Sequence, residues 1–270
     1  MHDQINNVQR KALTRQASSR TFRLLDMTDQ SCGGTAIAVN IGDCYFMATA
    51  GHVISKDHEY KIVLRNKISH SINFFQSRHF NTDADVGFLE IPKDKKHLID
   101  SWVTVADLYT DIDQHKKNDV VIVGYPGEYI IRTPKKQISR NAFLEFQICN
   151  SLCYMSFTLP VEKWPTEGIE KQPVEGRDIF IDFDPDGYMF TSPPNTVDIS
   201  PEASMRCPEL AGISGGGIWL CESEEDLIWE PSVKLIGIQH HVFKRDQWMR
   251  GTLINCWLDF LVKKYPDLNR

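Results

Sequence analysis

One serine in this chain sits in a turn made almost entirely of glycine: Ala211-Gly212-Ile213-Ser214-Gly215-Gly216-Gly217. Such a turn lifts a hydroxyl clear of the backbone and lets consecutive N–H groups converge on one point, where an oxyanion would form. A serine hydroxyl is a weak nucleophile and needs a base. Of the nine histidines, His52 has the most telling context, because Tyr45-Phe46-Met47-Ala48-Thr49-Ala50-Gly51 runs as an apolar strand into small residues directly before it. The base must in turn be held by a carboxylate. Asp85 heads the apolar run Val86-Gly87-Phe88-Leu89-Glu90-Ile91, and Asp83 is its local rival, outside that strand. Base, acid and nucleophile in the chain order His52, Asp85, Ser214 spell nucleophilic acyl transfer. An α/β-hydrolase would order them Ser, Asp, His and would alternate strands with helices, which this chain does not do.

The elements that must position these residues are short strands. Runs at Thr35–Ile41, Tyr45–Thr49, Lys61–Leu64, Ser71–Phe75 and Val86–Ile91 lie between turn signals. A second set follows at Val120–Gly124, Phe143–Ile148, Tyr154–Leu159, Asp178–Phe183, Gly217–Leu220 and Val233–Gln239. This spacing predicts an all-β protein of two lobes, with the cleft between them. Past Thr252 the period changes: Leu253, Ile254, Trp257, Leu258, Leu261 and Val262 share one helical face, predicting a packing helix over 252–264.

Three segments, Thr49-Ala50-Gly51-His52, Asp85-Val86-Gly87-Phe88-Leu89 and Gly212-Ile213-Ser214-Gly215-Gly216, resemble the active-site motifs of chymotrypsin-like (trypsin-fold) serine peptidases. Val120-Val121-Ile122-Val123-Gly124-Tyr125-Pro126-Gly127 is similar to the strand and turn that open the second barrel in bacterial glutamyl-endopeptidase and HtrA-like members. Lys234-Leu235-Ile236-Gly237-Ile238 resembles the strand that walls their substrate cleft. The resemblance runs over roughly residues 30–262, with 160–205 unmatched.

It implies two six-stranded antiparallel β-barrels closed by a C-terminal helix. The expected layout is an N-terminal extension over 1–30 and a peptidase domain over 31–262. Within the domain fall a first barrel at about 31–91, a linker at 92–118 and a second barrel at about 119–250. It further implies an endopeptidase with a His52–Asp85–Ser214 triad and an oxyanion hole of the Gly212 and Ser214 N–H groups.

Two departures from the family matter. Ile213 stands where zymogen-activated relatives carry an Asp for a new N-terminus, so activation by N-terminal insertion is not expected; the enzyme is competent as made or controlled by a partner protein. Pro208 stands where trypsin-like enzymes place the carboxylate that selects Lys or Arg. Glutamyl endopeptidases have a His after the Gly-Ile of the cleft strand, whereas here Gln239 precedes His240 and His241. Those histidines could read an acidic side chain, orient Asp85, or be exposed polar groups. Val242 falls where a small residue usually opens the pocket.

At 270 residues, 41% hydrophobic and 24% charged, the chain suits one two-lobed globular unit. A net charge of −6 argues against nucleic acid, and no apolar run is long enough to span a bilayer. Residues 1–29 are polar, with nothing resembling a signal peptide. Seven cysteines are scattered. Cys32 occupies one end of a bridge common in secreted relatives, but Val53 stands at the other, so the thiols read as reduced and the protein as cytoplasmic. Cys149 and Cys153 have no second ligand pair nearby, so they read as buried thiols. No metal or cofactor is expected; the expected partner is a protein or peptide substrate. The Pro- and acid-rich stretch 160–205 is either a functional excursion, a partner-docking loop or a solvated surface.

Overall fold

The computed structural model describes residues 7–26, 28, 31–64, 67–68, 74–126, 151–185, 189–192, 210–222 and 232–269. An N-terminal helix α1 (Asn7–Ser19) leads into the first sheet, built from β1 (Thr21–Asp26), β2 (Ser31–Ile41), β3 (Cys44–Thr49), β4 (Tyr60–Leu64), β5 (Lys67–Ile68), β6 (Ser77–Asn81) and β7 (Val86–Ile91). Its order is β5-β4-β1-β2-β3-β7-β6. The second sheet holds β8 (Asp119–Gly124), β9 (Ser151–Phe157), β10 (Asp178–Asp182), β11 (Met189–Ser192), β12 (Gly217–Glu222), β13 (Ser232–Phe243) and β14 (Trp248–Leu253), in the order β10-β14-β13-β12-β8-β9-β11. Helix α2 (Ile254–Lys264) ends the fold. Every ladder is antiparallel.

Each sheet holds seven strands, one short segment more than the six expected. In the first the addition is β5, a two-residue partner of β4. In the second it is β11, which extends the sheet beyond β9. A bridge from Thr158 to Ile181 joins the end of β9 to β10 and closes the second set on itself.

Strand periodicity explains how two lobes share one core. On β2, Ile37, Val39 and Ile41 face one way and Ala36 and Ala38 the other. The larger set joins Phe46, Ala48, Val86 and Phe88 in a cluster with Val121, Val123, Trp219 and Ile238 of the second lobe. Leu13 and Ala17 of α1 and Trp257 and Leu261 of α2 complete that inter-lobe cluster. The small set fills the first lobe's own interior with Phe22, Leu24, Met47 and Leu89. Val120, Ile122, Ile179, Ile213 and Ile218 fill the second.

The elements differ from expectation at several places. Residues 7–26 are no appendage: β1 pairs with both β2 and β4. The first lobe therefore begins at Thr21 rather than 31. The apolar run in Thr21-Phe22-Arg23-Leu24-Leu25 was the available signal. Phe74 and Phe75 lie outside any strand, and the strand in that region is β6 instead. Pairing of Leu253 with Gly237 keeps the chain extended to 253, so α2 starts at Ile254 rather than 252. The 92–118 linker makes two short helical turns and a single bridge to each lobe, Val103 to Val39 and Leu108 to Leu235. Phe143–Ile148, Cys149, Cys207 and Pro208 lie outside the described residues. Among the described residues no helix is long and apolar enough to cross a membrane.

Candidate active site

His52 sits in a single helical turn, Gly51–Val53, directly past the end of β3. Asp85 closes the turn that leads into β7, in the left-handed backbone region at φ 49°, a conformation that Asp tolerates better than bulkier residues. The two side chains meet: His52 Nδ1 lies 2.9 Å from Asp85 Oδ2, and the His52 backbone N–H donates to Asp85 Oδ1 at 2.8 Å. Such a doubly held carboxylate fixes ring position and favours the Nδ1–H tautomer, leaving Nε2 free as a base. Gly51 makes this approach feasible, because a Cβ there would stand 2.8 Å from the Asn81 carbonyl oxygen and 3.2 Å from Asp85 Oδ1. Asp83 is exposed, and its N–H is held by Asn81.

Burial alone would raise the Asp85 carboxyl. The His52 hydrogen bond and charge, with help from His240, outweigh it and hold the group at about 2.

Ser214 lies on the turn before β12, and that turn is clamped across the cleft by Thr35 of the first lobe. The Thr35 N–H donates to the Ser214 carbonyl at 2.8 Å, and its hydroxyl donates to the Gly212 carbonyl at 2.9 Å. Thr35 was not legible in the sequence, since a strand threonine carries no signal of a partner 177 residues on. Gly215, at φ 89°, seats the turn against it: a Cβ there would fall 2.0 Å from the Thr35 carbonyl oxygen. Gly212 is also left-handed, at φ 96°. The N–H groups of Ile213, Gly215 and Gly216 are spent on backbone carbonyls. Among the described residues those of Gly212 and Ser214 donate to no backbone carbonyl, which leaves them free to hold an oxyanion.

The Ser214 hydroxyl donates to the His240 carbonyl at 2.9 Å. His240 Nδ1 in turn lies 3.7 Å from Asp85 Oδ2. A chain of contacts thus runs from Ser214 through His240 and Asp85 to His52, with the hydroxyl turned onto a carbonyl.

His240 is buried and His241 half-exposed. Burial pushes the His240 imidazole down to about 3, against an upward pull from Asp85; burial also lowers His241, with Asp85 again opposing. Neither is a resident cation near neutral pH. This weakens an ionic role in reading acidic side chains and favours the one beside Asp85. Gln239 points to the same strand face as Gly237, toward Ile218 and Ile179 inside the second lobe. It is fully buried, and among the described residues its amide has no hydrogen-bond partner. Val242 packs on the second lobe's core.

Beside the triad candidates lies a cavity of about 440 Å³ lined by His52, Asp85, His241 and Phe243, with Glu170 and Lys171 from the 160–205 stretch. Lys171 reaches across to the Thr82 carbonyl at 2.8 Å. Beneath it Arg250 is paired with Asp178 at 3.0 Å and donates to the Lys171 carbonyl at 2.7 Å. Part of the excursion is therefore a wall of the cleft, a role its composition did not disclose.

No protein-family model matches the chain, and no curated protein matches it. Solved structures do. The serine protease domain of the Sesbania mosaic virus polyprotein aligns at 12% identity over 92% of this chain and 91% of its own, with TM-score 0.48. The human pathogenic astrovirus serine protease aligns at 8% identity, covering 87% and 89%, with TM-score 0.44. Tobacco etch virus protease in complex with product aligns at 13% identity, covering 88% and 74%, also at 0.44.

Proposed function

We propose that the protein is a serine endopeptidase acting through an acyl-enzyme. The observation that carries this is the locked His52–Asp85 pair, with the Ser214 turn clamped to the same lobe by Thr35. Ser214 turns from the His240 carbonyl toward His52 and attacks the scissile carbonyl. His52 takes the proton and returns it to the leaving amine, while Asp85 stabilises the imidazolium. The Gly212 and Ser214 N–H groups bind the oxyanion, each such donor being worth about 3 kcal/mol. The turn at 120–127 and the cleft strand motif resemble those of the glutamyl-endopeptidase and HtrA-like branches, which supports a kinship with them. Ile213 gives no ion pair for a new N-terminus, so activity needs no insertion step. The cysteine pattern, with Val53 at the far end of the bridge common in secreted relatives, supports a cytoplasmic setting. Burial raises the Cys153 thiol to about 11, as suits an inert core thiol.

For specificity, Pro208 supplies no carboxylate, and Gln239 is turned into the second lobe. A Lys or Arg side chain would be desolvated without a counter-charge, whereas a small or polar one would not. The test is a peptide library digested by wild type and by Ser214→Ala and read by mass spectrometry. Cleavage by wild type alone, after residues other than Lys or Arg, is expected; a dominant Lys/Arg preference would overturn the pocket assignment.

One observation favours a second reading, a protease fold kept as a binding module: the Ser214 hydroxyl is engaged by a carbonyl rather than by a base. A library left uncut by wild type, with peptide still bound, would select it.

A further inference from the structure

In a regular strand, consecutive side chains point to opposite faces. His240 and His241 do not obey this. The β13–β14 register slips between Gln239 and His241: Gln239 pairs with Gly251 and His241 with Arg250, leaving His240 as the extra residue of a bulge. The bulge turns both imidazoles toward one carboxylate. His240 Nδ1 lies 3.7 Å and His241 Nδ1 3.8 Å from Asp85 Oδ2, and the two nitrogens are 2.5 Å apart. One side of this cluster opens to the cavity beside His52.

We propose that Asp85, His240 and His241 form a binding site for a zinc-class divalent cation, and that its occupation switches the peptidase off. Two neutral imidazoles and a carboxylate are the donor set zinc prefers, with a fourth position left to water. Around a tetrahedral zinc with bonds near 2.0 Å, neighbouring donor atoms stand about 3.3 Å apart. The three separations here bracket that value, so modest side-chain rotations suffice. Arg250, the cation that acts on both imidazoles, is already paired with Asp178 at 3.0 Å, which tempers its repulsion. The oxygen the metal takes is the one His52 Nδ1 contacts at 2.9 Å. A bound cation therefore withdraws the base's partner and places positive charge beside the forming imidazolium. Removing metal is then harmless to catalysis, and adding it inhibits. Binding stands apart from the peptidase reading; only the inhibition rests on it.

The test has two arms. Wild type and Ser214→Ala are titrated with zinc by calorimetry and with cobalt(II) by visible absorption, alongside His241→Ala, His241→Gln and His240→Ala. About one equivalent is expected on wild type and Ser214→Ala, with at least tenfold weaker affinity in each histidine variant. The exposed His241 pair keeps the test valid if the buried His240 variant misfolds. No binding by wild type, or an equivalent that survives both His241 variants, would overturn the site. In the second arm, zinc should slow peptide hydrolysis by wild type and EDTA should restore it. Binding without inhibition would overturn the switch. A protein that cleaves nothing but binds zinc through these histidines would overturn the peptidase reading and leave the site standing.

Discussion

The two halves of the candidate site are built by different means. The acid–base half belongs wholly to the first lobe: His52 and Asp85 are joined by side-chain and backbone hydrogen bonds at 2.9 and 2.8 Å, within one sheet's loops. The nucleophile half belongs to the second lobe, and its alignment depends on contacts across the cleft, chiefly Thr35 with the Ser214 and Gly212 carbonyls. Its hydroxyl is parked on the His240 carbonyl. The candidate base is thus held in place within one lobe, whereas the candidate nucleophile is turned onto a carbonyl and depends on the seating of the lobes. Changes in the first half should damage chemistry and spare the fold; changes at the seam should damage both.

The largest effects are expected in the first half. His52→Ala and Asp85→Asn should each lower kcat by roughly 10⁴-fold or more, the second by favouring the wrong tautomer, while both variants stay folded at a somewhat lower thermal midpoint. Steady-state kinetics with a cleaved peptide and thermal melts check both. Loss of fold instead of rate would place these residues in a structural role.

Next comes the seam. Gly215→Ala puts a methyl group into the Thr35 carbonyl oxygen, 2.0 Å away, at a backbone angle that favours glycine. A loss of about 3 kcal/mol or more is expected, with the melting midpoint falling by roughly 6–12 °C. An unchanged midpoint would break the claim that this turn locks the lobes.

How much of this was legible follows the same division. The triad candidates stand in local motifs whose chemistry shows in a few adjacent residues, as in Gly51-His52 and Gly212-Ile213-Ser214-Gly215. The strands around them announce themselves by alternation, so β2, β3, β7, β8 and β12 were expected nearly where they lie. The strand β1 was missed because it follows a polar helical stretch and draws its stability from partners on both sides. The bulge at His240 was illegible for another reason: it exists only in the pairing of two strands, and Gln239-His240-His241 read alone looks like plain alternation.

Acid should act on the strand that bears these histidines. Burial holds His240 down at about 3, against 6.5 for an ordinary histidine. Between those values the unfolded chain takes up a proton that the folded protein refuses, so stability falls as pH drops through that window. The ceiling is about 1.4 kcal/mol per pH unit for one group. Asp85, held near 2 against 3.8, adds a further decline at the acid end, where folded carboxylate must protonate. Urea midpoints at pH 7.5 and 4.5 should show the lower value at 4.5, with a flatter dependence in His240→Gln. Equal midpoints would contradict the burial account.

The smallest effect sharpens the seam. Thr35→Val keeps the strand and removes one hydroxyl, which donates to Gly212 and accepts from the Tyr125 N–H. About 1–2 kcal/mol of stability should be lost, with a several-fold drop in kcat from a less settled oxyanion turn. A stability loss with kcat intact would mean that the Ser214 turn holds its shape without the first lobe.

The central claim is that Ser214 is a nucleophile activated by His52. A fluorophosphonate probe reacts with such a serine through the same oxyanion geometry, without needing a known substrate. Wild type, His52→Ala and Ser214→Ala are incubated with the probe and the adduct is mapped by mass spectrometry. One adduct on Ser214 in wild type, slowed by orders of magnitude in His52→Ala and absent in Ser214→Ala, is the predicted result. An unlabelled wild type, or a label on another residue that persists in Ser214→Ala, would contradict it.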